Sequence, residues 1–291
     1  MPPAVSLLSA NGCAGFLVTD MPPDSILLVK KIAPAVFLAL LWLWETRRPF
    51  MQAGDRWRHA GHNLALALTN ALVLAFTVSV ATAAVAAWTA ARGYGLLAQL
   101  SLSAPLQFIL ALLLLDAWMY LWHRANHLLP VLWRFHRMHH SDPAMDVTTA
   151  ARFHLGEHLG SAALRIALIP LLGWNIWHLV IYDTLVIAIT QFHHANISLG
   201  KWDRVLRLFI VTPDMHKMHH SDQQPETDSN FSTVLSVWDR LAGTFTMRRD
   251  LRTIVFGLKE YTDPQWQKWR GLWKTPFVSA GRNSDEQAPG D

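Results

Sequence analysis

Two nearly identical phrases carry six histidines. Residues 135–142 read Phe-His-Arg-Met-His-His-Ser-Asp and residues 215–222 read Met-His-Lys-Met-His-His-Ser-Asp. Each contains H-x-x-H-H, with His136, His139 and His140 in the first and His216, His219 and His220 in the second. On a helix, positions i, i+3 and i+4 share one face. Three imidazoles on one face make a poor core and a good set of metal ligands, for imidazole suits iron, zinc, copper and nickel. A further pair, His123 and His127, lies at i, i+4. Eight such histidines exceed the three or four of a mononuclear zinc site, so the count favours two metals.

Other residues join this set. His194, in His193-His194-Ala-Asn196, is a ninth expected ligand, with His193 and Asn196 as further ligands or outer-shell groups. His154 and Glu157 are candidates for the same two roles, and His158 is incidental. Asp116 and Tyr120 extend the helix face of His123 and His127 backward. A carboxylate there either accepts a ligand's ring N–H or makes a helix–helix hydrogen bond. His178, His59 and His62 stand apart and read as structural. No catalytic residue separate from the ligands is visible. The chain has no H-E-x-x-H, no G-x-S-x-G, no P-loop and no G-x-G-x-x-G.

The elements that must position these groups read as membrane helices. The 291 residues are 52% hydrophobic and only 16% charged, against about 25% charged in ordinary globular domains. An all-α, polytopic architecture follows, with transmembrane spans across residues 26–122. The spans run over Ile32–Trp44, Leu64 to about Thr89, and Pro105–Trp122. Residues 161–192 are apolar but interrupted at Pro170, Gly173 and Asn175, with histidine motifs on both sides. That stretch must enter and leave by one face, and two short helices in a shallow hairpin fit best. Segment 201–211 reads as an interfacial amphipathic helix. Residues 1–25 form a mobile leader and 279–291 a disordered tail. Arg and Lys are abundant in 45–63 and after His123, while loop 90–104 holds only Arg92. The positive-inside rule then puts the histidine cap on the cytoplasmic face. Net charge +4 suits an anionic membrane surface, and no basic stripe indicates nucleic acid. Cys13 is the only cysteine, which excludes a disulfide framework or a C-x-x-C redox pair. Trp118, Trp122, Trp133 and Trp174 line a lipid entry or form an interfacial belt.

Over residues 108–246 the chain resembles the fatty acid hydroxylase/sterol desaturase superfamily. The matching text is His123-x3-His127, His136-x2-His139-His140-Ser-Asp, Arg152-Phe-His154 and Phe192-His193-His194-Ala-Asn196. It continues with Thr212-Pro213-x2-His216-x2-His219-His220-Ser and Trp238-Asp239-Arg240-Leu-Ala-Gly243. The chain departs from the family at Phe231-Ser232, where Tyr-Gly is frequent, and at Leu155-Gly156, where Pro usually follows the histidine. The resemblance implies a catalytic domain over 108–246, with His123, His127, His136, His139, His140, His194, His216, His219 and His220 holding two Fe ions. Zinc can displace iron in recombinant protein. It implies O2 as co-substrate, hydroxylation or desaturation of a membrane lipid, and electrons from an external ferredoxin or cytochrome. NAD(P)H would take part only through that carrier. The competing readings are a zinc-dependent membrane hydrolase and a membrane metal transporter or storage protein.

Overall fold

The computed structural model describes residues 23–52 and 54–278. The leader up to residue 22, with Cys13, and the tail from 279 lie outside the described residues. The described chain is all-helical. Helix α1 spans Pro23–Arg47, α2 Arg56–Phe76, α3 Val78–Arg92 and the single turn α4 Leu96–Gln99. Helix α5 spans Ala104–Leu128, α6 Pro130–His140, α7 Leu155–Leu172 and α8 Ile176–His194. The short α9 covers Asp203–Leu206 and α10 covers Pro213–His219. Helices α5, α7 and α8 are each long and apolar enough to cross a membrane, and α2 with α3–α4 makes a fourth, bent unit.

The expected second span is broken. Thr77 leaves helical geometry (φ −119°, ψ −81°), and its hydroxyl donates to the Val73 carbonyl at 2.7 Å. A threonine that takes a carbonyl from the ladder bends a helix, and the bend here is 42°.

The hairpin helices are longer than the sequence implied. Helices α7 and α8 have 18 and 19 residues, roughly 27–29 Å at 1.5 Å per residue. Gly173 closes α7 in the left-handed conformation (φ +79°), and Asn175 caps α8 by accepting from the Trp177 and His178 N–H groups. The hairpin tip abuts the turn between α3 and α4. A Cβ on Gly95 would lie 2.1 Å from the Gly173 nitrogen, so the backbones meet where neither residue carries a side chain. Both turns therefore occupy the end remote from the histidines. Trp174, fully buried at this tip, belongs to the core with Leu115, Ile169, Leu179 and Tyr182, and lines no lipid entry.

Segment 201–211 is not one amphipathic helix. A 3-10 turn and α9 are followed by an extended piece in which Ile210 bridges Leu235.

Beneath the histidine end lies a buried charged lattice. Glu45 pairs with Arg56 and accepts from the backbone N–H of Val147 and Asn196. His59 sits between Asp142 at 2.8 Å and Asp146 at 3.1 Å. His59 is thus neither isolated nor in a loop, because α2 begins before it at Arg56. Asn196 joins this lattice: its side chain accepts from Met51 N–H and donates to Met51 O. It holds the α1–α2 turn and is no metal ligand.

Candidate metal centre

Helix starts aim the histidines. Pro130 opens α6 at its first turn, and Thr212 and Pro213 open α10. Each H-x-x-H-H phrase is thereby helical and each presents its three rings to the same buried space. Helix α5 brings His123 and His127 on its last two turns, and α8 brings His194 on its last residue.

The nine expected ligands meet in two groups. One contains His123, His127, His136, His140 and His219; the other contains His139, His194, His216 and His220. Within each group one nitrogen per ring lies within 4.8 Å of all the others. The phrases cross over. His136 and His140 serve the first group and His139 the second, whereas His216 and His220 serve the second and His219 the first. Each group so has three rings from the paired phrases. Helix α5 adds two to the first and α8 adds one to the second.

Hydrogen bonds at the outer nitrogens set the tautomers. Nδ1–H of His123 donates to Phe231 O at 2.8 Å, that of His219 to Ser229 O at 2.7 Å, and that of His194 to Thr190 O at 2.7 Å. His139 donates likewise to Arg152 O at 3.2 Å. Carboxylates take two more: Glu157 accepts from His136 at 2.9 Å and Asp228 from His127 at 3.2 Å. A ring that donates from Nδ1 carries its lone pair on Nε2, which faces inward.

The inner nitrogens then pose a problem that a cation solves. His123 and His219 approach Nε2 to Nε2 at 3.0 Å, and His139 and His194 at 3.1 Å. With the Nδ1 protons of these four rings already committed to carbonyls, each pair sets lone pair against lone pair. Protonation is opposed: burial pushes His219 down to about 3, and burial with neighbouring imidazoles holds His139, His140, His216 and His220 well below 6.5. A metal ion between the rings removes the conflict. Bonds of about 2.1 Å to a shared ion would bring ligand nitrogens roughly 3 Å apart, as these pairs are. Both ring nitrogens of His220 and Nε2 of His127 are buried without a partner, as ligands awaiting an ion would be.

The remaining candidates fall outside the groups. His193 is buried against His216, centroids 3.9 Å apart, but offers no atom to either group. His154 caps α7, accepting from Gly156 N–H at 3.0 Å among Phe135, Trp273 and Phe277. It is a cap and not a ligand. Asp116 touches no histidine. It accepts from Tyr182 OH at 2.7 Å, Trp238 Nε1 at 2.7 Å and Leu235 N–H at 3.0 Å, the helix–helix alternative. The carboxylates that do accept from rings of the groups are Glu157 and Asp228, the second of which the sequence reading did not single out. No spacing links Asp228 to His127, since the contact spans about a hundred residues. The carbonyls of Ser229 and Phe231 were missed as well. They flank Asn230, whose φ of +53° turns the chain, and Asp239 fixes the N–H groups of Phe231 and Ser232. Trp133 lies against His127 and His140, centroids 5.1 and 5.5 Å away.

Comparison with known proteins meets this geometry from another direction. Residues 108–244 match the model of the fatty acid hydroxylase family. An ornithine lipid hydroxylase of Rhizobium tropici is 32% identical over 139 residues, covering 48% of this chain and 41% of that protein. An alkylglycerol monooxygenase of Danio rerio is 30% identical over 51% of this chain and 32% of its own length. A cholesterol 25-hydroxylase of Rattus norvegicus is 24% identical over 53% of this chain and 52% of its own. The chain thus spans a third to a half of these relatives. No solved structure is a significant match.

Proposed function

Residues 108–244 belong to the fatty acid hydroxylase family, and from that premise we propose that the chain is a membrane-bound non-haem diiron oxidoreductase that hydroxylates or desaturates a lipid. The observation that carries the reading is the pair of all-histidine groups, five and four rings, buried at the ends of apolar helices. Two iron ions held there would supply the redox chemistry that activates O2 against a lipid C–H bond. The protein's part is positional. Outer carbonyls, Glu157 and Asp228 hold the rings with their lone pairs converging, and burial keeps water and protons from competing for them.

The catalytic domain is residues 108–246, and the substrate is a membrane lipid, the chemical class named for all three relatives. Electrons come from an external ferredoxin or cytochrome. The basic residues of the α1–α2 turn and of the chain after His123 lie at the histidine end, while loop 90–104 and the hairpin tip lie at the other. By the positive-inside rule this asymmetry supports a site on the cytoplasmic face.

The test is metal content and turnover on protein purified without oxygen from iron-supplemented cells. Wild type should hold about two irons per chain and oxidise lipid when given reductant. His139→Ala should lose both metal and turnover. Retained lipid oxidation in that variant would end the diiron reading.

A further inference from the structure

Helix α1 has two unlike faces. Phe37, Leu38, Leu41 and Trp42 pack in a core with Val147, Ala195 and Ile197. The other face is a stripe at helical spacing: Ile32, Val36, Leu40, Leu43 and Trp44 are each at least 42% exposed. Arg47, also exposed, stands at its foot. From Ile32 to Arg47 the stripe and its foot cover roughly 22 Å of helix.

Helix α8 turns this stripe into the wall of a groove. Thr184 and Ala188 are small where α1 passes, and a hollow of about 470 Å³ lies between them and Ile32, Val36, Phe37 and Leu40. The Thr184 hydroxyl donates to Val180 O at 2.8 Å, so its proton is not offered to the groove. Leu40 also borders a second hollow of about 400 Å³, completed by Leu43, Trp44, Arg47 and Arg48. The two hollows meet at Leu40, which lines both; the first is apolar and the second carries two arginines at the histidine end. The nearby Glu45 does not neutralise that end, because Arg56 and two backbone N–H groups engage it. Among the described residues neither Arg47 nor Arg48 forms an ion pair.

We propose that this groove is a binding site for an anionic lipid, its acyl chain between α1 and α8 and its headgroup on Arg47 and Arg48. Bilayer chains are as apolar as the groove, so the chain contributes shape and the headgroup contributes selectivity. Two adjacent guanidiniums suit a phosphate diester, which each can contact through paired N–H groups. The site differs from the metal centre and uses none of its ligands. It is coupled to it by position: the turn after Arg48 is pinned to Asn196, two residues beyond His194. A bound lipid therefore braces α1 against the end of α8. The inference rests on the membrane placement of these helices and not on the oxygenase reading.

The test is thermal unfolding of the full chain in detergent, with added phosphatidylglycerol, phosphatidylcholine or inorganic phosphate. Phosphatidylglycerol should raise Tm by a few degrees, as a ligand of the folded state does; the zwitterionic lipid should do clearly less and inorganic phosphate nothing. The selective shift should vanish in the double variant Arg47→Gln/Arg48→Gln and in Ala188→Trp, which fills the groove. Equal shifts from both lipids, a shift reproduced by inorganic phosphate, or a selective shift surviving the double variant would overturn the proposal. The arginine variants change exposed side chains only, so they decide the matter even if Ala188→Trp does not fold. Because no turnover is read, failure here leaves the oxygenase reading untouched.

Discussion

Glu157 and Asp116 show what single residues contribute. Both are buried carboxylates near the histidines, yet only Glu157 accepts from a ligand ring. Glu157→Ala should weaken metal retention roughly 10–100-fold, read by competition with a chelator, and Glu157→Gln should weaken it less because an amide oxygen still accepts from His136. Asp116→Ala should leave metal content unchanged but destabilise the fold, since it strands Tyr182 OH and Trp238 N–H at about 1–3 kcal/mol each. Loss of metal in the Asp116 variant would reverse these roles. The rings themselves make a pH prediction. In metal-free protein His219 stays neutral down to about 3, while unfolding releases it to an ordinary value near 6.5. The unfolded state then binds more protons, so stability is full above about 6.5 and declines as pH falls toward 3. Tm of the stripped protein should drop steadily between pH 7 and 5; a flat profile would contradict the burial of neutral rings.

At the scale of elements, periodicity made much of this molecule legible. The H-x-x-H-H spacing identified helix faces, and all nine expected ligands converge. Periodicity could not say which ring serves which group, because that depends on how α6 and α10 face each other. It also left Asp116 open between two roles, for this residue shares a helix face with His123 but lies seven residues, about 10 Å, along the axis. The break at Thr77 was invisible because apolar composition continues through it. The hairpin helices' length was underestimated because Gly173 and Asn175 mark a turn without saying how far the helices run from it. The glycine contact at that turn is testable. Gly95→Ala would drive a Cβ into the backbone of Gly173 and should strongly destabilise the protein. Gly93→Ala, with φ +62° but open space around it, should cost only about 1–2 kcal/mol of backbone strain. Equal losses in chemical denaturation would mean the two turns do not touch.

For the whole molecule, the arrangement predicts sidedness. The α3–α4 turn, the start of α5 and the tip of α7–α8 share one end, and the histidine cap the other. On a Cys13→Ala background, cysteines placed at Leu102 and Ile176 should react with an impermeant thiol reagent from the same, non-cytoplasmic side. One at Arg252 should react only from the cytoplasm. Labelling of Ile176 together with Arg252 would restore the shallow hairpin.

The crossover of the two histidine phrases has a consequence for assembly. Had α6 furnished one group and α10 the other, each ion could come and go alone. Under the proposed two-ion reading, each ion would instead bridge both helices, two rings from one and one from the other. The first ion to bind would bear the cost of fixing α6 against α10, and the second would find its three crossing rings already in register. Loading should then be cooperative, and protein held at limiting metal should divide into chains that are full and chains that are empty.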